Sequence, residues 1–303
     1  MRRRAFLQLG GAFAITLPCA LLSPVRAQDA AAAPELFQRI TIIGASVSAG
    51  FCTDEFIGGP RTPEFRLANF FNEALTCEHR PVVSHARKTL FLGARDSLEK
   101  QVNEALKANP SLVVALDSLF WFCYGRDLTP PQRLELFEFG LKQLDRMSAP
   151  LIVGDLPDAR HAAGGILGVD EIPPADVLAK CNERLKAWAA TRKNVSLFPF
   201  AAMMKAAITG ETLDLGGRVW EKGTARALLQ RDMLHPSHLG LAAVTVAALD
   251  SAGASAKPAI PRSNYRRDLD SLTKDAVELG KKQSREAAER ASNASKPEAA
   301  PAQ

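Results

Sequence analysis

The segment ITIIGASVS, residues 40–48, runs from four β-branched residues directly into small, turn-forming ones. β-Branched residues favour strands, and glycine followed by small side chains favours a tight turn at the end of a strand. Similar apolar runs recur along the chain, each followed by a longer segment with apolar residues at helical spacing. Strands that alternate with helices in this way form a parallel sheet covered by helices. The segment therefore predicts the first strand of an α/β domain.

The other strands and helices are predicted from the same two periodicities. The expected strands are residues 39–44, 81–84, 112–116, 151–154 and 195–198. The expected helices are residues 65–75, 96–107, 131–147 and 174–192, and a further helix should follow residue 240. Pro110 and Pro150 each end a helix just before a strand. The prediction is a doubly wound, flavodoxin-like sheet of about five parallel strands with helices on both faces, a three-layer α/β/α fold.

The N-terminus has the composition of an export signal. Three arginines at residues 2–4 precede an apolar run over residues 10–22, and Ala27 ends a small-residue cleavage site. This order is typical of a twin-arginine signal, so we expect residues 1–27 to be removed from a bacterial protein that works in the periplasm or outside the cell. An uncleaved anchor is the alternative. We expect no stable membrane span after cleavage.

The rest of the chain divides into three parts by composition. Residues 28–36 are a linker, residues 37–250 are the α/β domain, and residues 251–303 are a charged tail rich in Ala, Lys and Glu. Apolar residues at helical spacing predict a charged helix over about residues 265–290, either on the domain or in solvent. The end of the tail, residues 291–303, is expected to be disordered.

Charge and cysteine content exclude two kinds of function. Four of the 38 basic residues lie in the expected signal, which leaves 34 basic against 33 acidic residues. That balance provides no basic surface for nucleic acid. The four cysteines beyond the signal match no zinc spacing, so no metal is expected. Cys52 and Cys123 each follow a central strand and form the best candidate bridge, whereas four free thiols are the alternative that burial statistics favour.

A polar cluster near the end of the predicted domain points to a catalytic base. The segment DMLHPSHLG, residues 232–240, precedes an alanine-rich apolar helix. Because Asp232 stands three residues before His235, its carboxylate can turn back to the imidazole Nδ1, fix the tautomer and support the charge formed when Nε2 takes a proton. Such a base needs a nucleophile. Ser46 follows the first strand, at the sheet edge where doubly wound folds bind ligands.

Together, these two segments resemble the first and last sequence blocks of the SGNH hydrolases, also called the GDSL lipase and esterase family. The resemblance covers about residues 37–250. It implies that Ser46 is the nucleophile, His235 the general base and then acid, and Asp232 its orienting partner. The Ser46 amide would donate to the oxyanion, an acyl-enzyme would form, and water would release the acid. No metal or organic cofactor is implied.

The chain departs from the family pattern in three places. Ala45 replaces the usual Asp after the first glycine, and the segment LDSL, residues 116–119, stands where the family has Gly-x-Asn-Asp. The Asn whose amide helps to bind the oxyanion is therefore missing. The block that supplies a glycine amide is also indistinct around residues 84–88. Losing one oxyanion donor typically costs about 100- to 1000-fold in turnover.

Nearby residues are candidates to rebuild the oxyanion hole or to line the pocket. Arg87 or Lys88 could place a cation there, and Ser118 or Tyr124 could donate a hydrogen bond. The candidates for the oxyanion hole or substrate pocket are Gly44, Ala86, Arg87, Asp117, Ser118, Trp121 and Tyr124. The alternatives are core or pocket wall for the aromatic residues and a turn cap for Asp117. Ser48 is an alternative nucleophile, although the family serine comes two residues after the glycine.

The sequence thus predicts an exported serine esterase for a small acyl ester, either an acetyl ester on a glycan or a short-chain lipid ester. The alternative is an SGNH-like protein that binds a cell-envelope ligand with weak or no catalysis, which the missing Asn favours. The presence of Ser46, Asp232 and His235 favours the enzyme. A phosphate-binding loop at residues 44–50 is excluded, because the chain has neither Gly-x-Gly-x-x-Gly nor Gly-Lys-Ser/Thr there.

Overall fold

A central sheet of five parallel strands organises the protein, and across the sheet the strands stand in the order second, first, third, fourth and fifth by chain position. The structure, a computed structural model, describes residues 34–55 and 58–294. The strands are β1 (Ile40–Ile42), β2 (Val83–Ser84), β3 (Leu112–Ala115), β4 (Leu151–Gly154) and β5 (Val195–Phe198). This is the predicted flavodoxin-like order, with its switch point between β1 and β3. All five predicted strands are present, and the first three are shorter than expected.

Helices cover both faces of the sheet and complete the predicted three layers. One layer contains α2 (Leu67–Ala74) and α8 (His238–Ser255), which pack on each other. The other contains α3 (Ala94–Lys107), α5 (Pro130–Leu144) and α6 (Ala175–Ala190). Every residue of β1, β3 and β4 is buried between these layers. Strands buried on both faces are apolar throughout, which is why the sequence shows continuous runs there.

Several short elements were not predicted. The structure adds α1 (Ser46–Ala49), α4 (Phe120–Cys123), α7 (Phe200–Thr209) and a hairpin of β6 (Leu213–Leu215) and β7 (Arg218–Trp220). Four-residue helices such as α1 and α4 are too short to show a period. The hairpin turns through Gly216 and Gly217, both at positive φ, as a two-residue hairpin turn requires.

The tail helix α9 (Leu269–Ala294) packs on the domain. It contacts α2, α8 and the 3-10 turn at Thr62–Phe65. Leu272 and Ala276 are fully buried there. A Cβ on Gly280 would lie 2.5 Å from the Cα of Glu64, so only glycine allows this approach. The sequence left the placement of this helix open, and the structure puts it on the layer formed by α2 and α8.

The four described cysteines are free thiols, so the candidate bridge between Cys52 and Cys123 is not formed. Cys123 lies on α4 and is hydrogen-bonded to Cys181 of α6 instead. That hydrogen bond and burial raise the pKa of the Cys123 thiol. Both side chains are fully buried.

Residues 1–33, 56–57 and 295–303 lie outside the described part of the chain. The predicted export signal and most of the linker therefore lie outside it, as does most of the end of the tail. Within residues 34–55 and 58–294, no helix has both the length and the apolar character needed to cross a membrane.

Candidate active site

The nucleophile candidate stands where β1 passes into α1. Ser46 is the first residue of α1, and Gly44 just before it has a φ of +152°. A Cβ at Gly44 would lie 2.1 Å from Asp117 Oδ1, so the strand end can pass this carboxylate only as glycine. The buried side chain of Gln101 accepts from the Gly44 amide at 2.7 Å and donates to its carbonyl at 3.1 Å. Gly44 thus shapes the turn that presents Ser46.

The base candidate stands in the loop before α8. Asp232 Oδ1 accepts from the amides of Leu234 and His235, each at 3.0 Å. Met233 between them adopts a left-handed conformation, with φ of 61°, which lets the chain turn back on the carboxylate. The spacing of three residues thereby brings Asp232 Oδ2 to 2.6 Å from His235 Nδ1.

The structure brings the three predicted residues into one hydrogen-bonded line. Because Nδ1 of His235 donates to Asp232, Nε2 is the accepting nitrogen, and it lies 2.8 Å from Ser46 Oγ. Ser46 and His235 are 189 residues apart in the chain. His235 is only 3% exposed. The arrangement leaves Nε2 ready to take a proton from the hydroxyl.

The carboxylate of Asp232 is held ionised by its partners. Burial raises its pKa, but the hydrogen bonds and the attraction from His235 outweigh burial, so the pKa lies below the ordinary value for aspartate. An ionised carboxylate at Nδ1 stabilises the imidazolium that forms when Nε2 is protonated.

Asp117 lies beside Ser46 and accepts hydrogen bonds from the first turn of α1. It is 7% exposed. Its Oδ2 accepts from the amides of Val47 and Ser48, and its Oδ1 accepts from the Ser48 hydroxyl at 2.6 Å. Burial raises the pKa of Asp117, and these hydrogen bonds only partly offset the rise. Because the Ser48 hydroxyl is fully buried and donates to this carboxylate, Ser46 is the better-placed nucleophile.

The other predicted pocket residues have different partners. Ser118 Oγ donates to the Ala115 carbonyl at 2.9 Å. Tyr124 OH donates to the Pro157 carbonyl at 2.6 Å and accepts from the Ala159 amide at 3.0 Å. Both hydroxyl protons are therefore engaged within the fold, and neither side chain lines the cleft at Ser46. The sequence predicted that both residues lie near the end of a strand, but it could not predict the direction of their side chains.

The two predicted cations and two of the remaining candidates also lie apart from the cleft. Arg87 is exposed, and its amide donates to the Gly44 carbonyl at 3.0 Å. Lys88 Nζ donates to Thr62 Oγ1 at 2.9 Å. Ala86 and Trp121 are half-buried and do not line the cleft, whereas Asp117 lines it.

The cleft at Ser46 and His235 is narrow and mostly apolar. Its volume is about 40 Å³. Its apolar walls come from the segments that follow β3 and β4, from α4 and α7, and from the loop before α8, and include Leu116, Phe120, Leu156, Phe200, Met203, Met204 and Leu234. Asp155 also lines it, and burial raises the pKa of that carboxyl although the Ala201 amide donates to it. The walls suit a small apolar group.

Donors for an oxyanion are few. Ser46 lines the cleft, and within the described residues its amide has no hydrogen-bond acceptor. No Asn, Gln, Arg or Lys belongs to the described cleft walls. No side-chain amide or cation of the described cleft walls therefore replaces the family Asn that the sequence lacks.

Sequence reasoning missed two residues that touch the base candidate or its loop. The ring of Phe51 stacks on the imidazole of His235, with centroids 4.1 Å apart and planes 23° from parallel. Gln230 holds the backbone at Phe51. The glutamine stands two residues before Asp232, but nothing in that local spacing predicts a partner at residue 51.

Comparison with known proteins finds similar solved structures at low sequence identity. No family model and no curated protein matches the chain. The chain is similar to a solved lipase/acylhydrolase from Enterococcus faecalis, with 14% identity, a TM-score of 0.47, and coverage of 77% of this chain and 99% of that one. A gut microbial diltiazem-metabolizing enzyme matches with 11% identity and a TM-score of 0.44, over 72% and 47% of the two chains. TesA matches with 17% identity and a TM-score of 0.36, over 68% and 92%.

Proposed function

We propose that this protein is an ester hydrolase of the SGNH type that uses Ser46, His235 and Asp232 as its nucleophile, base and orienting carboxylate. One observation carries the proposal: the hydrogen-bonded line from Asp232 through His235 to Ser46 opens into an apolar cleft. A nucleophile, a base and a group that orients the base are the parts that acyl transfer needs.

The reaction follows from the positions of these atoms. Ser46 Oγ attacks the ester carbonyl carbon while His235 Nε2 takes its proton, and the Ser46 amide donates to the carbonyl oxygen as that oxygen gains negative charge. His235 then gives the proton to the leaving alcohol as the carbon–oxygen bond breaks. Water attacks the acyl-enzyme with His235 again as the base, and the acid leaves as Ser46 recovers its proton. Asp232 stays ionised throughout.

The cleft favours a short acyl group. Its volume of about 40 Å³ is far below the roughly 300–1,000 Å³ of sites that enclose drug-sized ligands. The substrates we propose are therefore esters of small acids, as acetyl groups on glycans or as short-chain lipid esters. From the N-terminal sequence we further propose that the enzyme is exported to the periplasm or beyond.

A second function is favoured by one observation. Because no side-chain amide or cation belongs to the described cleft walls, the oxyanion lacks a side-chain donor among them, and the loss of one donor typically slows turnover by about 100- to 1000-fold. The protein would then act as a binding protein for a cell-envelope ester.

Hydrolysis of p-nitrophenyl acetate and butyrate tests the proposal. We expect the purified protein to turn both over, and Ser46→Ala and His235→Ala to fall to background, because each removes a group that bonds or transfers a proton. His79→Ala is the matched control, since His79 bonds to the Cys77 carbonyl and does not line the cleft. A folded parent no faster than Ser46→Ala on these esters and on acetylated glycans would favour the binding function.

A further inference from the structure

Gln230 joins two loops that flank the imidazole of His235. One loop follows α1 and contains Phe51 and Thr53. The other runs from residue 229 to Pro236, in front of α8. The amide oxygen of Gln230 accepts from the Thr53 amide at 3.0 Å and from its hydroxyl at 2.8 Å. The amide nitrogen donates to the carbonyls of Phe51 at 2.8 Å and Pro236 at 2.9 Å.

These bonds use the full capacity of the side chain. A primary amide offers two donors and an oxygen with two lone pairs, and all of them are engaged. In addition, the Gln230 backbone amide donates to the His235 carbonyl at 2.8 Å. One half-buried residue therefore fixes the backbone of the His235 loop to a segment 177 residues earlier in the chain.

The segment it fixes carries the ring that covers the imidazole. Phe51 stacks on His235 with centroids 4.1 Å apart, and its carbonyl is the group that Gln230 holds. The imidazole can take a proton from Ser46 only if Nδ1 faces Asp232 and Nε2 faces Ser46. A half-turn about the bond from Cβ to the ring would exchange a nitrogen for a carbon at each partner. A packed aromatic face opposes that rotation.

We propose that Gln230 is a positioning residue for the base, holding Phe51 against His235 so that the imidazole keeps one orientation and one tautomer. The proposal rests on the proposed function, in which His235 is the base. Gln230 itself does not line the cleft at Ser46; it acts through the two loops.

Three substitutions separate this role from general loop stability. Gln230→Met keeps the length of the side chain and removes all of its hydrogen bonds. Phe51→Leu keeps an apolar contact and removes the flat ring. Thr53→Val removes only the hydroxyl donor and is the mild variant, should Gln230→Met fold poorly. Gln283→Met is the matched control, because the amide of Gln283 also bridges distant elements, α9 to Asn69 of α2, away from the cleft.

Ester hydrolysis provides the first measurement. Small misplacements of a catalytic group cost up to about 100-fold, so we expect Gln230→Met and Phe51→Leu to lower kcat by about 10- to 100-fold with KM changed less than about threefold. Thr53→Val should lower kcat less, in the same direction, and Gln283→Met should not lower it. A loss of kcat in Gln283→Met as large as in Gln230→Met, at equal Tm, would overturn the proposal.

The nitrogen NMR signals of His235 provide a measurement that does not depend on ester turnover. Correlation of ring protons with Nδ1 and Nε2 reports which nitrogen holds the proton, and the His235 signals are identified by their loss in His235→Ala. We expect a single form protonated at Nδ1 in the parent and in Gln283→Met, and a mixture in Gln230→Met and Phe51→Leu. Mixed forms in the parent, or one form in all variants, would overturn the proposal even if the parent is an active esterase. A single parent form that becomes mixed would support it even if these esters are not substrates.

Discussion

Replacing Asp117 would test how the first turn of α1 is held beside the nucleophile. In Asp117→Ala, the amides of Val47 and Ser48 and the Ser48 hydroxyl all lose the acceptor they share. A buried polar group without a partner costs about 1–3 kcal/mol. The buried carboxylate itself carries a desolvation cost that the alanine relieves, and the hydroxyl can rotate to another acceptor. We therefore expect the free energy of unfolding to fall by about 2–4 kcal/mol.

Asp117→Asn separates the charge from the hydrogen bonds. The asparagine oxygen can accept from both amides while its nitrogen donates to Ser48 Oγ, so the turn keeps its three partners. We expect this variant to retain turnover within about tenfold of the parent. We expect Asp117→Ala to lose about 10- to 1000-fold, because the Ser46 amide is no longer held in place as an oxyanion donor.

The pH dependence of stability distinguishes the two residues further. Burial raises the pKa of Asp117 in the folded protein, so the folded state holds this proton more tightly than the unfolded chain. Its contribution to stability is present below the ordinary carboxyl pKa of about 3.9 and is lost as the pH rises through the raised folded value. Asparagine cannot ionise, so Asp117→Asn does not lose stability at this position as the pH rises. Relative to the parent, Asp117→Asn should gain up to about 1.4 kcal/mol per pH unit across that interval.

Urea unfolding of the parent and both variants between pH 4 and pH 8 measures these differences. Turnover of p-nitrophenyl acetate by the same preparations measures the effect on the site. A difference between Asp117→Asn and the parent that does not change with pH would show that the carboxyl pKa is not raised. An alanine variant as stable and as active as the parent would refute the role assigned to the three hydrogen bonds.

Three further substitutions test the site and its support. Asp232→Asn should lower kcat by about 10⁴-fold with little change in KM, since an amide can favour the wrong tautomer of the imidazole; steady-state kinetics that show a change in KM alone would contradict this. Met204→Ala should widen the cleft and raise kcat/KM for butyrate relative to acetate, and an unchanged ratio would mean that Met204 does not bound the acyl site. Arg133→Met should lower the free energy of unfolding by about 3–5 kcal/mol. The reason is that this side chain, 2% exposed, donates to five backbone carbonyls. A loss below about 1 kcal/mol in urea unfolding would contradict this expectation.

The strand pattern was predictable because the sheet is buried on both faces. A continuous β-branched run such as ITII at residues 40–43 is too short for a core helix and lacks the alternation of a half-exposed strand, so it indicates a strand covered on both sides. The helices of the outer layers show a period because only one face of each is buried. The elements that were missed are those whose length gives no period, or, as in α7, whose apolar residues surround the helix.

The site was predictable where its geometry is local. The contact of Asp232 with His235 follows from their spacing, and the placement of Ser46 follows from the sheet order together with the family resemblance. The contacts of Asp117 with α1 and of Gln230 with residues 51–53 join segments 69 or more residues apart. No short pattern encodes them. For Tyr124, the position near the cleft was inferred from a strand end, while its hydroxyl turned to Pro157.

Because α9 comes last in the described chain, the surface that it covers is the last part of the domain to be completed during synthesis. Synthesis runs from the N-terminus, so residues 269–294 leave the ribosome after the strands, Ser46 and His235. Until then, the outer side of α2 and the turn at Thr62–Phe65 stay open to water, so a chain truncated after residue 268 should be cut by protease at that turn more readily than the full-length chain. Equal resistance of both chains would mean that the earlier elements close this side by themselves.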